Sequence, residues 1–117
     1  MCVLKLPGLS SPVAFDSIIW VEGHGNYSWV YFTDQPRYLS AKTLKWIEDQ
    51  LPGFIRVHKS ALLNPTHVAG VTLTAPRRLS IRMSNGLKLL VARRRIERVR
   101  YQLNQQAEGV DWVLTRS

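Results

Sequence analysis

The chain has 117 residues, of which 45% are hydrophobic, so it is long enough for one globular domain and too hydrophobic for a disordered tail. Sixteen Lys and Arg residues stand against eight Asp and Glu residues, which gives a formal net charge of +8 and an isoelectric point near 10.3. A basic balance of this size is typical of polyanion binders, although a basic surface alone identifies no partner.

Residues 1–12 are interpreted as a lead-in segment. Pro7, Gly8 and Pro12 interrupt it, so it holds no signal-peptide core, and no stretch of the chain approaches the roughly 20 apolar residues of a membrane span. The single cysteine, Cys2, excludes an internal disulfide and has no Cys/His cluster around it for zinc. A lone thiol fits a reducing compartment, so we expect a cytoplasmic protein.

Short strands are predicted wherever aromatic and β-branched residues lie between turn residues. In the first half they fall at 18–22, 27–32 and 37–39, and the second of them places Tyr27, Trp29 and Tyr31 on one face. Between 43 and 51 the period changes, because Leu44, Ile47 and Leu51 follow the i, i+3, i+7 spacing of a short amphipathic helix.

The second half predicts more strands and a longer helix. Strands are expected at 54–58, 68–74, 78–83 and 87–91, with a bend or second short strand at 59–64. Ser84-Asn85-Gly86 indicates a hairpin turn, because Asn and Gly tolerate positive φ. Residues 93–106 read as a helix with Ile96, Val99 and Leu103 on one stripe. The pattern predicts a mainly β chain with one short central helix and one C-terminal helix.

A basic cluster opens that last helix, at Arg93, Arg94 and Arg95, followed by Arg98 and Arg100. It could be a solvated polar face. However, arginines at the positive end of a helix dipole are locally unfavourable, and such a position is more often functional. A phosphate there would be held by the guanidinium groups and by the helix N-terminus.

Two other segments carry polar side chains at predicted loops. In Arg56-Val57-His58-Lys59-Ser60, alternation would place Arg56, His58 and Ser60 on one strand face, and Lys59 at the exit is more suited than His58 to face a ligand. For His58 a hydrogen-bonded, partly buried role is preferred. In the glycine-flanked loop at 22–27, Asn26 could pair with an adenine edge or merely cap a turn, and both interpretations stay open.

No enzyme is expected. The Ser60 and His58 pair lacks a nucleophile elbow and an orienting carboxylate. The sequence has no acid/base pair of carboxylates, no phosphate-binding glycine loop, no dinucleotide fingerprint and no metal-ligand spacing. We therefore expect no cofactor, no metal and no small-molecule substrate.

The order of these blocks resembles the LytTR domain, the DNA-binding output module of many bacterial response regulators. The resemblance covers residues 13–105 and leaves 106–117 as a tail. It is carried by IIWVE at 18–22, NYS at 26–28, Leu44 in the short helix, FIRVHKSALLN at 54–64 and LVARRR at 90–95.

The resemblance implies an elongated arrangement of small antiparallel β-sheets and an unusual way of reading DNA. Loops between strands enter successive major grooves of double-stranded DNA, and pairs of domains bind two directly repeated half-sites. It implies base-reading roles for His24, Asn26, Tyr27, Lys59, Arg93 and Arg94. Phosphate contacts would come from Lys42, Ser60, Lys88 and Arg98. Arg95 is a further phosphate candidate on its charge alone.

The chain departs from the family pattern at three positions. The family usually has Ser at Ala92, where it would cap the helix, and an aromatic residue at both Ala61 and Arg95. No receiver domain is predicted within these 117 residues, so we expect either a stand-alone regulator or a domain excised from a longer protein. Two alternatives remain: a protein-interaction module with exposed aromatics such as Trp29 or Trp112, and a single-strand binder that stacks bases on Tyr27, Trp29 and Tyr31.

Overall fold

A computed structural model describes residues 3–74, 77–106 and 111–115 of the chain. The protein is elongated, with principal extents of 48 × 28 × 22 Å. Its main elements, in chain order, are β1 (Val3–Leu4), β2 (Val13–Ala14), β3 (Ile18–His24), β4 (Tyr27–Phe32), β5 (Tyr38–Ser40), α1 (Leu44–Gln50), β6 (Ile55–His58), β7 (Ala61–Leu63), β8 (Val68–Thr74), β9 (Arg78–Met83), β10 (Lys88–Leu90), α2 (Ile96–Gln106) and β11 (Asp111–Thr115). The prediction of a mainly β chain with two helices is confirmed.

A five-stranded antiparallel sheet forms the centre, in the order β5-β4-β3-β7-β6. Because successive side chains of a strand point to opposite faces, the sheet contributes to two cores. Val21 and Leu62 lie on one face and pack with Leu44 and Ile47 of α1. On the other face, residues such as Leu63 pack against α2 and the second sheet.

The second sheet has four strands in the order β10-β9-β8-β11. The first three are antiparallel, whereas β11 runs parallel to β8, with Asp111 opposite Gly70 and Thr115 opposite Thr74. This C-terminal strand was not predicted, because the sequence analysis left 106–117 as a tail. Its partner, β8, is 37 or more residues away in the chain, so local pattern carries no sign of the pairing.

The lead-in segment packs into the core. β1 pairs with β2, and Leu4 and Leu6 are almost fully buried beside α1. Leu4 and Leu6 thus belong to the hydrophobic cluster that includes α1, which the interpretation as a lead-in did not include.

The final helix begins later than predicted. Arg93–Arg95 form a separate 3₁₀ turn, and α2 starts at Ile96. Ala92 precedes the turn in an extended conformation and has no side chain that could cap it. The three arginines therefore stand just before the α-helix instead of in its first turn, while Ile96, Val99 and Leu103 form the buried stripe as predicted.

The Ser84–Gly86 turn lies where it was predicted. Within this turn, Gly86 has positive φ, at +90°, and Asn85 does not. Asn85 acts through its side chain, because its Oδ1 accepts a hydrogen bond from Leu87 N at 3.1 Å. A second difference lies in β6, where the register shifts between Arg56 and His58. This β-bulge pairs them with Leu62 and Ala61, while burial still alternates along the strand: Ile55 and Val57 are buried, and Arg56 and His58 are half-buried. That Arg56 and His58 share one face stays a prediction.

Candidate nucleic-acid interface

The hairpin that joins β3 to β4 presents the first predicted base-reading segment. Its turn consists of Gly25 and Asn26, between the paired His24 and Tyr27. Gly25 has φ +63°, and no other described residue of this turn has positive φ, which is the pattern of a type II′ turn. His24, Asn26 and Tyr27 are exposed. The two rings stack with centroids 5.6 Å apart, so the tip is an accessible pair of rings beside an exposed amide.

Arg56 holds the second segment, the connection from β6 to β7. Its Nε donates to the His58 carbonyl at 2.9 Å, and its Nη2 donates to the Lys59 carbonyl at 2.6 Å. Its Nη1 donates to Glu48 Oε1 of α1 at 2.8 Å. One guanidinium group thus fixes two successive backbone carbonyls relative to α1, and the exposed Lys59 side chain is presented on this braced turn.

His58 is half-buried and serves the same turn. Its Nδ1 accepts a hydrogen bond from the Ser60 backbone N at 3.0 Å, which requires that nitrogen to be unprotonated. Burial, followed by the positive charges of Arg56 and Arg95, lowers the pKa of His58 below its ordinary value. These contacts match the structural role that the sequence favoured for His58.

The first two segments meet in one groove. The Ser60 carbonyl accepts a hydrogen bond from Gly23 N at 2.9 Å, which ties the β6–β7 turn to the base of the hairpin. We call the resulting cavity, of about 530 Å³, the loop groove; it is lined by Gly23, His24, Gly25, Thr43, Leu44, Lys45, Arg56, Lys59 and Ser60. Two segments that are more than thirty residues apart in the chain therefore share one surface feature.

The third segment, the arginine turn, is attached to the same end of β6. Ala92 N donates to the Val57 carbonyl at 2.9 Å, so Arg93–Arg95 leave the sheet beside His58. Arg93 and Arg94 are exposed, whereas Arg95 is half-buried. We call the cavity at Arg95 the arginine recess; its lining is Lys45, Glu48, Phe54, Arg56, Arg95, Arg98 and Gln102.

The two cavities adjoin, because Lys45 and Arg56 line both of them. Together with the exposed Arg93 and Arg94 they form a basic strip that runs from the hairpin tip to α2. This strip carries side chains from all three segments that were predicted to read bases.

Comparison with known proteins identifies the family of the chain. The model of the LytTr DNA-binding domain matches residues 10–104. The chain belongs to the LytTr DNA-binding domain family. A search of curated proteins gave no match. Among solved structures, the chain is similar to the LytTr DNA-binding domain of a Bacillus cereus protein described as a methyl-accepting/DNA response regulator, with a TM-score of 0.73 and 22% identity, over 88% of this chain and 97% of that one. The fold is thus that of the family, and the family is one of DNA binding, not of catalysis.

Two predicted phosphate contacts of this LytTr domain lie outside the basic strip. The Lys42 ammonium is placed over the Trp46 ring, 4.9 Å from its centroid. Lys88 is exposed on β10 of the second sheet, opposite Arg82. Neither lines the loop groove or the arginine recess. Their predicted roles remain predictions.

Sequence reasoning gave no role to two residues that line both cavities. Arg56 lies in the FIRVHKSALLN segment at 54–64, but its three hydrogen bonds depend on the β-bulge in β6 and on the position of α1, which the sequence does not show. Lys45 lies on the polar face of α1 and pairs with Asp49 at 3.1 Å, so the sequence marks it as an ordinary solvated residue. Only the packing of α1 beside β6 places it between the two cavities.

Among the residues that the structure describes, no group of three or more His, Cys, Asp or Glu side chains could hold a metal ion. No described helix is long and apolar enough to cross a membrane.

Proposed function

We propose that this LytTr domain binds double-stranded DNA sequence-specifically, by placing the loops of the basic strip in the major groove, and that it acts as a cytoplasmic bacterial transcriptional regulator. The observation that carries the proposal is the convergence of three separate loop segments on one basic face. Exposed hydrogen-bonding side chains stand at its two ends, at His24 and Asn26 and at Arg93 and Arg94.

The side chains of the basic strip fall into two groups, those that contact base edges and those that position the DNA backbone. Arg94 is exposed and its planar fork suits the O6/N7 edge of guanine, while Asn26 suits adenine. Lys59, on its braced turn, reaches a base or a phosphate. Ser60 and Arg98 line the strip and are candidates to position the DNA backbone.

Two further features of the proposal follow from the family. Two domains occupy directly repeated half-sites, which makes a homodimer on DNA the working form. His24, Tyr27 and Arg93 belong to the same base-reading set, and Lys42, Lys88 and Arg95 to the phosphate set. Lys42 and Arg95 are half-buried, whereas the other four are exposed.

The test is a salt titration of binding to a selected duplex pool by the wild type and by Arg94→Ala. If about six phosphates are neutralised, log K falls with log salt at a slope of roughly −5. Arg94→Ala is expected to lose the selected motif, at a cost of about 1–3 kcal/mol, and to keep most of its non-specific affinity. Arg82→Ala is the matched control, because Arg82 is exposed on β9 and lines neither cavity. A slope near zero, or equal effects of both variants, contradicts the proposal.

The aromatic face of β4 supports a second candidate, a protein-interaction surface. Tyr27 and Leu39 are 43% and 46% exposed, and Arg37 covers Trp29 at 3.9 Å. The side chain of Trp112 lies outside what the structure describes. A functional Arg94→Ala variant in cells would favour this candidate.

The same face argues against a three-ring stacking platform for single strands. Tyr31 already stacks on Trp20, with centroids 4.7 Å apart and an interplanar angle of 11°. Trp29 is covered by the Arg37 guanidinium. Only Tyr27 of the three rings presents a large exposed area.

A further inference from the structure

The arginine recess has the size and wall chemistry of a small-ligand site. Its volume is about 330 Å³, at the lower end of the roughly 300–1,000 Å³ of ligand pockets. Phe54, which is 8% exposed, forms part of its wall, and the other lining side chains are polar or charged.

The charge inside the recess is not balanced. Lys45, Arg56, Arg95 and Arg98 contribute four cationic side chains, against one carboxylate, Glu48. That carboxylate is already engaged by Arg56 at 2.8 Å. Lys45 is paired with Asp49, outside the recess.

Arg95 is a half-buried cation among these four. Its side chain makes no hydrogen bond or ion pair with any residue that the structure describes. Burial, then the positive charges of Arg56 and Arg94, lowers the pKa of the Arg95 guanidinium. A partly buried arginine with cationic neighbours is stabilised by an anion that occupies its free donors.

We propose that the arginine recess binds a small phosphate-bearing ligand in the absence of DNA. A phosphoryl dianion offers three acceptor oxygens, which match the planar forks of Arg95 and Arg98 and the ammonium of Lys45. A single small dianion can enter the recess and reach the half-buried Arg95 more readily than a run of linked DNA phosphates can. This proposal stands apart from the proposed function, since it requires no DNA.

The test uses the full chain and inorganic phosphate. Phosphate is titrated in a chloride buffer at constant ionic strength, and binding is followed by the arginine Nε–Hε resonances in a nitrogen-15 correlation spectrum. The wild type is expected to show saturable shifts of the Arg95 and Arg98 signals, with a dissociation constant of about 1 mM, a value typical of a weak single-site ligand. Arg95→Gln is expected to weaken binding about tenfold, because it removes the central cation.

Arg100→Gln is the matched control, because it removes the same charge from α2 and does not line the recess. Arg98→Gln is a second variant in case Arg95→Gln folds poorly, since Arg98 is exposed. Phosphate binding that is weakened by Arg95→Gln or Arg98→Gln, and unchanged by Arg100→Gln, supports the site.

Two outcomes overturn the proposal. One is the absence of saturable shifts, or equal weakening by Arg100→Gln, which would indicate only general charge attraction. The other is no phosphate binding together with a smaller salt slope for duplex binding by Arg95→Gln, which would assign Arg95 to the DNA backbone. Either result leaves the DNA-binding proposal intact, because that proposal depends on the separate Arg94 experiment.

Discussion

The Arg56 guanidinium joins α1 to the turn that carries Lys59. Each of its three hydrogen bonds ends on a different group: the Glu48 carboxylate, the His58 carbonyl and the Lys59 carbonyl. Its side chain is 17% exposed, so these bonds are partly shielded from water. Arg56 is therefore a positioning residue for the Lys59 loop.

Replacing Arg56 tests this role. Arg56→Lys keeps the charge but cannot make the three bonds together, so we expect about tenfold weaker binding to the selected motif with little change in the salt slope. The free energy of unfolding should fall by about 2 kcal/mol, a value within the range for hydrogen bonds to charged groups. Competition binding and urea unfolding measure the two effects. An unchanged affinity of Arg56→Lys for the selected motif would show that Arg56 does not position the Lys59 loop for DNA binding.

His58 predicts how stability depends on pH. Because its pKa is lower in the folded protein than the ordinary value of 6.5, the unfolded chain binds the proton more readily. The contribution of neutral His58 is complete above pH 6.5 and is lost as the pH falls from 6.5 through the lower folded value. We therefore expect Tm to fall on acidification below 6.5.

His58→Asn is the matched variant for this pH effect. Its amide oxygen can accept the hydrogen bond from Ser60 N but does not titrate. Thermal unfolding between pH 7.5 and 5 should show a smaller acid-induced decrease in Tm for the variant. Parallel Tm curves would exclude His58 as the source.

The short helix α1 depends on its cap and on tertiary packing. An isolated helix of seven residues would not be stable in water. The Thr43 side chain accepts a hydrogen bond from Trp46 N at 3.1 Å, and Leu44 and Ile47 are buried against the five-stranded sheet. Lys45 of α1 lines both cavities, and Glu48 lines the arginine recess. Unfolding of α1 would therefore disrupt both cavities.

Removing the cap should destabilise the domain measurably. Thr43→Ala is expected to lower the free energy of unfolding by about 1 kcal/mol. Thr43→Ser keeps the capping oxygen and should cost only a few tenths of that amount. Urea unfolding of both variants compares them directly, and equal losses would mean that the hydroxyl does not stabilise the helix.

At the scale of the whole molecule, both faces of the five-stranded sheet are buried. Leu4 and Leu6, near the N-terminus, pack in the hydrophobic cluster on one of these faces. Leu6 is 1% exposed and packs in the cluster that includes Leu44 and Ile47. The predicted lead-in at 1–12 therefore bears on the stability of the domain that was expected at 13–105.

Truncation of a buried side chain in this segment decides the point. Leu6→Ala should lower the free energy of unfolding by about 3 kcal/mol if residues 3–6 fold with the domain. Val3→Ala is the control, because Val3 is 49% exposed and should have little effect. Chemical unfolding gives both values. A negligible loss for Leu6→Ala would show that the segment is a separate lead-in.

Single residues of the candidate site could be predicted from the sequence, but their arrangement could not. The sequence marked Lys59, Arg94 and the His24 loop by their residue types, and the resemblance gave them roles. It did not predict that Arg56 braces Lys59, because that contact needs the bulge in β6 and the position of Glu48. Nor did it predict that Lys45 lies between two cavities.

The sequence by itself determined the strands with clear alternation, such as β8 and β9, whose bounds are those predicted, and the buried stripe of α2. These features are local, since side-chain period and turn residues act within a few positions. Tertiary structure alone decided the parallel pairing of β11 with β8, the burial of Leu6 and the joining of three loops into one basic strip. Each of these needs contacts between residues far apart in the chain, which no local pattern records.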